Sequence, residues 1–384
     1  MSELSYLEKL LDGVEVKWLP LGHIAAIKTG QSVNKNMISK NPGVYPVINS
    51  GREPLGFINT WNTDNDPIGI TTRGAGVGSV IWQEGKYFRG NLNYSITIDK
   101  KSHINIRYMY HALLHMKNDI HELCTFDGIP ALNAGSLKKL LIPIPCPDNP
   151  EKSLAIQSEI VRILDKFTAL TAELTAELTA ELTARKKQYN YYRDQLLSFK
   201  EGEVEWKTLG EVATFRRGTA ITQKQTTPGD IPVVANGPTP TYFHSESNRQ
   251  DETIVIARSG AYAGYVSFWN QPIFLTDAFS VHPNLKIVKP KFLYYVLQNK
   301  QEHIHAMKKG AGVPHVRVKE FESYDVPIPP LAEQVRIVTI LDKFDTLTNS
   351  ITEGLPREIE LRQKQYEYYR DMLFSFPKPD VVEA

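Results

Sequence analysis

The chain has 384 residues, and its 44 Lys and Arg against 43 Asp and Glu give a formal net charge of +1. This length predicts about two to four modules, and 41% hydrophobic with 23% charged residues is typical of a globular protein. No apolar run reaches the roughly eighteen residues of a membrane helix, and the polar N-terminus argues against a secretory signal. Cys124 and Cys146 lack metal-type spacing and fit a reducing cytoplasm.

Residues 1–150 are not dominated by helical patterns. Short β-branched runs such as residues 68–72 and 79–82 lie between Gly, Asn and Pro turns, and one helical pattern covers residues 108–116. We therefore predict a first α+β domain with a β-rich core over residues 1–150.

Two features of this domain are candidates for contact with nucleic acid. The first is Arg73, which lies among the flexible glycines of residues 72–78 and can approach a phosphate or present its fork to guanine. A plain hairpin turn explains the same segment equally well, and its Gly spacing does not match a dinucleotide-binding fingerprint. The second is a set of polar side chains of the types that read base edges, although solvated loops share this composition: Lys28, Asn34, Lys35 and Asn133.

Residues 151–200 have the pattern of one long helix. Apolar residues recur every three, four or seven positions from Ile160 to Phe199, which is one helical face. A helix of this length spans roughly 70 Å, too long for the interior of a compact domain, and we predict a spacer. Within it, Thr-Ala-Glu-Leu occurs three times in tandem at residues 171–182. The array is either a helix filler or a ruler in which each unit adds about 6 Å.

Residues 201–330 are predicted to form a second α+β domain. A β-branched run covers residues 253–257, and a helical pattern covers residues 292–298. Its candidate DNA-contacting residues are again basic or amide-bearing side chains near glycines and predicted turns: Arg216, Arg217, Gln223, Lys224, Arg258, His315 and Arg317.

Residues 331–384 repeat the helical segment. Residues 163–167, Ile-Leu-Asp-Lys-Phe, recur unchanged at residues 340–344, and the whole apolar stripe recurs with them. The natural partner for one stripe is the other, so we predict an antiparallel helix pair. Gly354 and Pro356 interrupt the second pattern, which predicts a kink or a split there.

The two halves of the chain are thus copies of one unit. Further matching pairs extend over the chain: residues 16–22 with 204–210, 45–51 with 231–237, 128–130 with 312–314, 142–145 with 326–329, 187–189 with 364–366, and 191–194 with 368–371. The offset drifts between the globular domains, which indicates loop insertions, and stays fixed between the helical segments, which indicates a constrained length.

Motifs of catalysis are missing from the sequence. Asn41-Pro42 and Asn149-Pro150 lack the second proline and the aromatic residue of an adenine methyltransferase motif. There is no Gly-Lys-Ser/Thr phosphate loop, and the histidines have no zinc-type spacing. Asp194 and Asp371 lie in repeated helical Tyr-Tyr-Arg-Asp motifs and are better explained as structural ion pairs. We predict a chain without a catalytic site or a metal site.

The alternation of variable domain, Ile-Leu-Asp-Lys-Phe helix ending in Tyr-Tyr-Arg-Asp, variable domain and the same helix resembles the specificity subunits of Type I restriction-modification enzymes. The Trp-x-x-Leu-Gly openings (18–22, 206–210) and the Pro-Ile-Pro exits (143–145, 327–329) match as well. The resemblance implies an α+β fold with two target-recognition domains that read the unlike halves of a bipartite double-stranded DNA target. It also implies paired helices, 151–199 and 331–376, that set the gap and dock partners.

The partners implied by the resemblance are two methyltransferase (modification) subunits and restriction subunits that translocate DNA. They would carry the cofactors S-adenosylmethionine, ATP and Mg, with none bound to this chain. Tyrosines concentrate in the helices beyond what one apolar stripe can bury, and Tyr is favoured at interfaces. We therefore expect some of these six to face the methyltransferase subunits: Tyr189, Tyr191, Tyr192, Tyr366, Tyr368 and Tyr369.

Two other functions stay open from the sequence alone. One is a non-enzymatic scaffold whose domains bind proteins, which exposed aromatics without basic surface would favour. The other is the specificity portion of a fused restriction-methylase, which the complete duplication and the missing catalytic motifs argue against.

Overall fold

The computed structural model describes residues 6–51, 53–200, 202–308, 315–350 and 352–377. Its contacts divide the chain into two compact units, Met1–Ala176 with Glu360–Ala384, and Glu177–Ile359. We call them unit 1 and unit 2. The predicted repeat pair 128–130 and 312–314 extends into residues 312–314, which lie outside the described residues. The domain boundaries taken from the repeat stay a prediction.

Unit 1 contains a four-stranded antiparallel sheet in the order β2-β9-β6-β7 and a second four-stranded sheet in the order β4-β3-β8-β5, where β3 and β8 are parallel. Strands β1 and β12 pair with each other, as do β10 and β11. The strands are β1 Val16–Pro20, β2 Ala25–Thr29, β3 Pro42–Ile48, β4 Phe57–Ile58, β5 Thr63–Asp64, β6 Ile68–Thr71, β7 Val80–Trp82, β8 Lys86–Arg89, β9 Asn93–Ile98, β10 Cys124–Thr125, β11 Ala131–Leu132 and β12 Leu141–Pro145. The helices are α1 Tyr6–Leu11, α2 Leu21–Ile24, α3 Lys35–Lys40, α4 Ile106–His115, α5 Lys117–Glu122 and α6 Ala134–Leu137.

A single apolar core joins the main sheet of unit 1 to its helices. All four residues of β6 are buried, as expected of a central strand covered on both faces. Ile68 and Ile70 pack with α4, whose buried face has the helical spacing seen in the sequence. Ile160 and Leu164 of the long helix and Phe374 join the same cluster, so helical residues complete the core of the domain.

A long helix, α7, runs over Pro150–Leu196 and contributes to both units. Its 47 residues correspond to roughly 70 Å, which confirms the predicted long helix. The border between the units falls between Ala176 and Glu177, inside the Thr-Ala-Glu-Leu array. The array therefore lies between the helical residues assigned to one domain and those assigned to the other.

Unit 2 repeats the topology of unit 1. Its main sheet has the order β14-β20-β17-β18 and its smaller sheet the order β16-β15-β19, with β15 and β19 parallel, while β13 pairs with β21. The strands are β13 Glu205–Thr208, β14 Ala213–Arg217, β15 Ile231–Val234, β16 Tyr242–His244, β17 Thr253–Ala257, β18 Val266–Trp269, β19 Phe274–Leu275, β20 Ala278–Pro283 and β21 Asp325–Ile328. The helices are α8 Leu209–Val212, α9 Pro290–Asn299, α10 Gln301–Ala306, α11 Val318–Glu322, α12 Leu331–Asn349 and α13 Gly354–Leu373, of which α13 continues into unit 1.

The helical segments contact one another within each unit. In unit 1, Phe167 of α7 stacks on Tyr369 of α13, with ring centroids 4.7 Å apart. In unit 2, Tyr192 of α7 stacks on Phe344 of α12 at 5.7 Å. The first half of α7 thus contacts α13, and the second half of α7 contacts α12. This reversed order is the one an antiparallel pair requires.

The second helical segment is split, as predicted. Helix α12 ends at Asn349, and Ser350 Oγ accepts hydrogen bonds from the backbone N–H groups of Thr352 and Glu353. Gly354 opens α13 with a φ of +76°, a conformation that glycine adopts without strain. Pro356 does not break α13, because it lies in the first turn, where its missing N–H has no helical partner to lose.

The repeated aspartate of the Ile-Leu-Asp-Lys-Phe motif joins helix to domain in both units. Asp165 accepts hydrogen bonds from Arg107 Nε and His111 Nε2 of α4, both at 2.8 Å. Asp342 accepts from Tyr295 Oη at 2.5 Å and from Lys291 Nζ at 3.0 Å, both on α9. Each spacer helix is therefore tied to the equivalent helix of its domain by one carboxylate.

No helix of the described ranges is both long enough and apolar enough to cross a membrane. The α+β class, the internal repeat and the long helices match the fold predicted from the sequence.

Candidate nucleic-acid interface

The glycine segment of each domain is a tight turn between two strands of the main sheet. Gly74 and Gly78 have positive φ values of 89° and 78°, and Gly260 and Gly264 have values of 80° and 84°. In both turns the second of these glycines donates its N–H to the last residue of the preceding strand. The two turns therefore share one backbone conformation, and the segment is a hairpin turn whatever it contacts.

The arginines of the two turns do not occupy equivalent positions. The turn hydrogen bonds align Gly74 with Gly260, so Arg73 corresponds to Ser259, and Arg258 corresponds to Thr72. The isolated bridges agree, because Arg73 pairs with Ala131 and Ser259 pairs with His315. The two arginines therefore stand one position apart on equivalent turns.

Burial follows the same shift. In the first domain Thr72 is buried and Arg73 is exposed, whereas in the second Arg258 is exposed and Ser259 is buried. Because neighbouring residues of an extended chain point to opposite sides, the two domains place a guanidinium on different sides of the same turn.

A cleft in unit 2 collects most of the basic residues predicted for the second domain. Its volume is about 390 Å³, and its lining residues come from β14, β20, the glycine turn, the segment before α11 and the first residues of α11: Arg217, Arg258, Phe279, His315, Val316, Arg317, Val318 and Lys319. Three arginines, a lysine and a histidine around one opening attract an anion, and Arg forks suit phosphate oxygens and guanine edges.

Arg258 is held at the rim of this cleft by an ion pair. Its Nη2 donates to Asp277 Oδ1 at 2.6 Å, and both side chains are 45% exposed. Asp277 Oδ2 accepts from Asn236 Nδ2 at 2.6 Å and from Ser259 Oγ at 3.1 Å. Asn236 Oδ1 in turn accepts from the backbone N–H groups of Arg258 and Ser259, at 2.8 and 3.2 Å.

Two candidate asparagines of the first domain act as helix caps. Asn34 Oδ1 accepts from Met37 N at 2.9 Å and caps α3, and Asn133 Oδ1 accepts from Gly135 N at 2.7 Å and caps α6. Capping occupies the carbonyl oxygen of each side chain and leaves its amide N–H₂ for another acceptor.

The remaining candidates lie outside the cleft. Lys28 on β2, Lys35 at the start of α3 and Arg73 are exposed, and Arg73 has no ion-pair partner among the described residues. Gln223 and Lys224 are exposed in a short 3₁₀ turn. Arg216 on β14 is exposed too. It is equivalent to Lys28, because the two residues are the fourth positions of the equivalent strands β14 and β2.

Next to β14, polar side chains around the buried Ser280 border the arginines. Arg249 Nε donates to Ser280 Oγ at 2.8 Å, and His282 Nε2 lies 2.8 Å from the same oxygen. Burial, together with the charges of Arg216 and Arg249, lowers the pKa of His282 to about 4. The imidazole is therefore neutral at physiological pH and adds no charge to this face.

The six tyrosines of the helices fall into three pairs, each pair at one repeat position. Tyr189 and Tyr366 are buried, and their rings belong to the interior of their units. Tyr192 and Tyr369 stack on Phe344 and Phe167 of the facing helices. In contrast, Tyr191 and Tyr368 are 61% and 65% exposed, and they occupy the same repeat position.

Sequence reasoning missed Lys319, Asp277 and Asn236. Lys319 follows the candidates His315 and Arg317 at every second residue, and this alternation is a usable signal. No sequence signal marks Asp277 and Asn236, because their role appears only when separate strands place them beside Arg258. Among the described residues there is no group of three or more His, Cys, Asp or Glu placed to hold a metal ion.

Comparison with known proteins assigns the family. A model of the Type I restriction modification DNA specificity domain matches the chain twice, at residues 13–184 and 201–361. The chain is 42% identical over 413 residues to the Type I restriction enzyme EcoR124I/EcoR124II specificity subunit of Escherichia coli, with 100% of both chains covered. It is 36% identical over 389 residues to the EcoprrI specificity subunit of the same species, covering 92% of this chain and 93% of the relative.

Solved structures share the fold. The S subunit of a Type I restriction-modification system from M. genitalium superposes with a TM-score of 0.56 at 21% identity, covering 96% of this chain and 98% of the other. A chain of a type I R-M system studied for its complex assembly and conformational transition gives a TM-score of 0.61 at 15% identity, covering 94% and 98%. The repeated fold, the basic cleft and the full-length matches together show that the chain belongs to the family of Type I restriction-modification DNA specificity subunits.

Proposed function

We propose that each domain of this specificity subunit reads one half of a bipartite, asymmetric double-stranded DNA target, without catalysing a reaction itself. The basic cleft of unit 2 is the observation that carries the proposal, since it gathers Arg217, Arg258, His315, Arg317 and Lys319 around one opening. Such a cleft supports DNA as the ligand over the alternative of a purely protein-binding scaffold.

Different half-sites follow from the different turn chemistry. The first domain carries an exposed guanidinium at Arg73 with no ion-pair partner among the residues that the structure describes, and the second carries the paired guanidinium of Arg258 one position earlier. Domains with the same strands but different side chains on one turn present different hydrogen-bond patterns to base edges. The two halves of the target should therefore have unlike sequences.

The experiment is to co-express the chain with its methyltransferase subunit and to map modified adenines in host DNA by single-molecule sequencing. The proposal predicts a two-part motif with unlike halves and a fixed gap. An active methyltransferase in a stable complex that modifies no such motif would reject it.

We further propose that two methyltransferase subunits, which bind S-adenosylmethionine, dock beside the exposed tyrosines Tyr191 and Tyr368. Restriction subunits that use ATP and Mg complete the assembly. The support is the equal repeat position and similar exposure of the two rings, since an aromatic exposed at the same place in both repeats suits two copies of one partner.

Replacing Tyr191 and Tyr368 with Ser tests this docking. Each change should weaken capture of the methyltransferase by about tenfold or more, as loss of an interface aromatic does, while thermal unfolding of the chain stays the same. Asn190→Ser and Glu367→Ser are matched controls, because these exposed neighbours also share one repeat position. Unchanged capture by the tyrosine variants would place the interface elsewhere.

A further inference from the structure

The carboxylate of Asp277 has both oxygens engaged around the glycine turn of the second domain. Oδ1 accepts from Arg258, and Oδ2 accepts from Asn236 and Ser259. Asn236 also fixes the backbone of the turn through the N–H groups of Arg258 and Ser259. Main chain and side chain of Arg258 are therefore both oriented by neighbouring polar groups.

This arrangement leaves part of the arginine available. Only Nη2 of Arg258 donates to Asp277, and among the residues that the structure describes, Nε and Nη1 have no hydrogen-bond acceptor. A guanidinium has five N–H donors in a rigid plane, so the free donors point away from the carboxylate toward the cleft or solvent.

The ion pair has little value as a fold-stabilising contact. Both side chains are 45% exposed, and exposed pairs contribute little to stability because solvent screens them. An acidic group beside DNA also repels phosphates and lowers affinity. A carboxylate at the rim of a basic cleft is therefore better explained by selectivity than by affinity.

The first domain lacks every part of this arrangement. Strand pairing makes Arg89 equivalent to Leu275 and Asn93 equivalent to Ala278, so this segment has one residue more in the first domain. Asn91 and Leu92 flank the position of Asp277, and neither carries a carboxylate. Thr72 stands at the position of Arg258, and Ser50 at that of Asn236. The orienting carboxylate is thus a property of the second domain, within a backbone that both domains share.

We propose that Asp277 is a positioning residue for base recognition, which orients Arg258 so that its free donors read a guanine in the half-site of the second domain. The proposal rests on the proposed function, since it names a reading contact within it. An arginine fixed before binding loses less side-chain entropy on contact, and a fork at one angle matches the O6 and N7 acceptors of guanine but not the edges of other bases.

The test uses the complex with methyltransferase subunits and maps modified adenines for Arg258→Ala, Asp277→Ala and Asp277→Asn. Arg258→Ala should lower discrimination at one guanine of the second half-site by about ten- to a hundredfold, the scale of a bidentate base contact. Both Asp277 variants should relax the same position by roughly tenfold, with the first half-site unchanged. Glu246→Ala, an exposed acid of the same unit outside this group, should leave the motif unchanged.

Different outcomes would test the role of Asp277, the role of Arg258 and the proposed function separately. Relaxation by Arg258→Ala but by neither Asp277 variant would overturn the positioning role. An unchanged motif in all three variants would overturn the assignment of Arg258 while leaving the proposed function intact. Only a wild-type complex without a bipartite motif would reject the proposed function itself.

Discussion

The two domains of this chain share their strand order and turn conformation but differ in the side chains that the turn presents. The main sheets have equivalent pairings, and both glycine turns have the same pattern of positive φ. On this common backbone the first domain exposes Arg73, and the second exposes Arg258 beside Asp277. Buried residues therefore maintain the framework, while a few exposed positions remain free to change the ligand.

The largest effect should come from the framework itself. Phe321 of α11 and Leu137 of α6 are both fully buried at equivalent positions, and Phe321 packs 5.6 Å from Phe279. Phe321→Ala should cost about 3–5 kcal/mol and Leu137→Ala about 2–5 kcal/mol of unfolding free energy, because each leaves a cavity. Denaturant unfolding with hydrogen exchange resolved to the two units measures both. If either variant lost less than about 1 kcal/mol of unfolding free energy, the two positions would not have equivalent roles in the cores of the two units.

A smaller and equal loss should follow from removing either repeated aspartate. Asp165→Ala leaves the buried His111 imidazole without its Nε2 partner, and Asp342→Ala leaves the buried Tyr295 hydroxyl unpaired. Each unpaired group costs about 1–3 kcal/mol. Asp165→Asn and Asp342→Asn retain an acceptor oxygen and should lose less. If the two alanine variants differed by several kcal/mol in thermal unfolding, the repeated role of the motif would be refuted.

The cleft offers a substitution that makes the second domain more like the first. Arg217 lines the cleft, and strand β2 has Thr29 at the same register. Arg217→Thr should weaken DNA binding and reduce the slope of log affinity against log salt by about one, since one phosphate contact is lost. Arg336→Thr, on α12 and paired with Glu333, is the control. An unchanged salt slope for Arg217→Thr would remove this residue from the interface.

The smallest expected effect is on the pH dependence of folding stability. The pKa of His282 is lowered to about 4 in the folded state, against about 6.5 in the unfolded chain. The neutral imidazole therefore contributes stability above pH 6.5, and this contribution is lost as the pH falls toward 4, since the unfolded state binds the proton first. Between pH 7 and pH 4, unit 2 of the His282→Gln variant should lose less thermal stability than unit 2 of the wild type. An identical pH dependence in wild type and variant would contradict the shift.

The sequence predicted what repetition and periodicity encode. The repeat pattern and the apolar stripe identified α7, the split near Gly354 and the two β-rich domains, because burial imposes these spacings over many residues. Gly30 and Gly218 also stand at matching positions of the two repeats, and a Cβ at either would overlap the carbonyl oxygen of Gly90 or Thr276.

Single surface contacts were harder to predict from the sequence. The position of Arg73 relative to Arg258 depends on a one-residue shift that only turn hydrogen bonds reveal. Asn34 and Asn133 belong to a residue type that hydrogen-bonds to base edges, yet each of them caps a helix. The group around Asp277 joins residues from three separate segments, and no local pattern marks such a meeting.

We propose that the two unlike domains read DNA at a distance set by the helix between them. The most direct measurement maps modified adenines for the wild-type complex and for a chain lacking residues 175–178, one Thr-Ala-Glu-Leu unit. We predict that both half-sites keep their sequences while the gap shortens by about one to two base pairs, because one unit spans about 6 Å of helix. An unchanged gap, or altered half-site sequences in the shortened chain, would contradict this account.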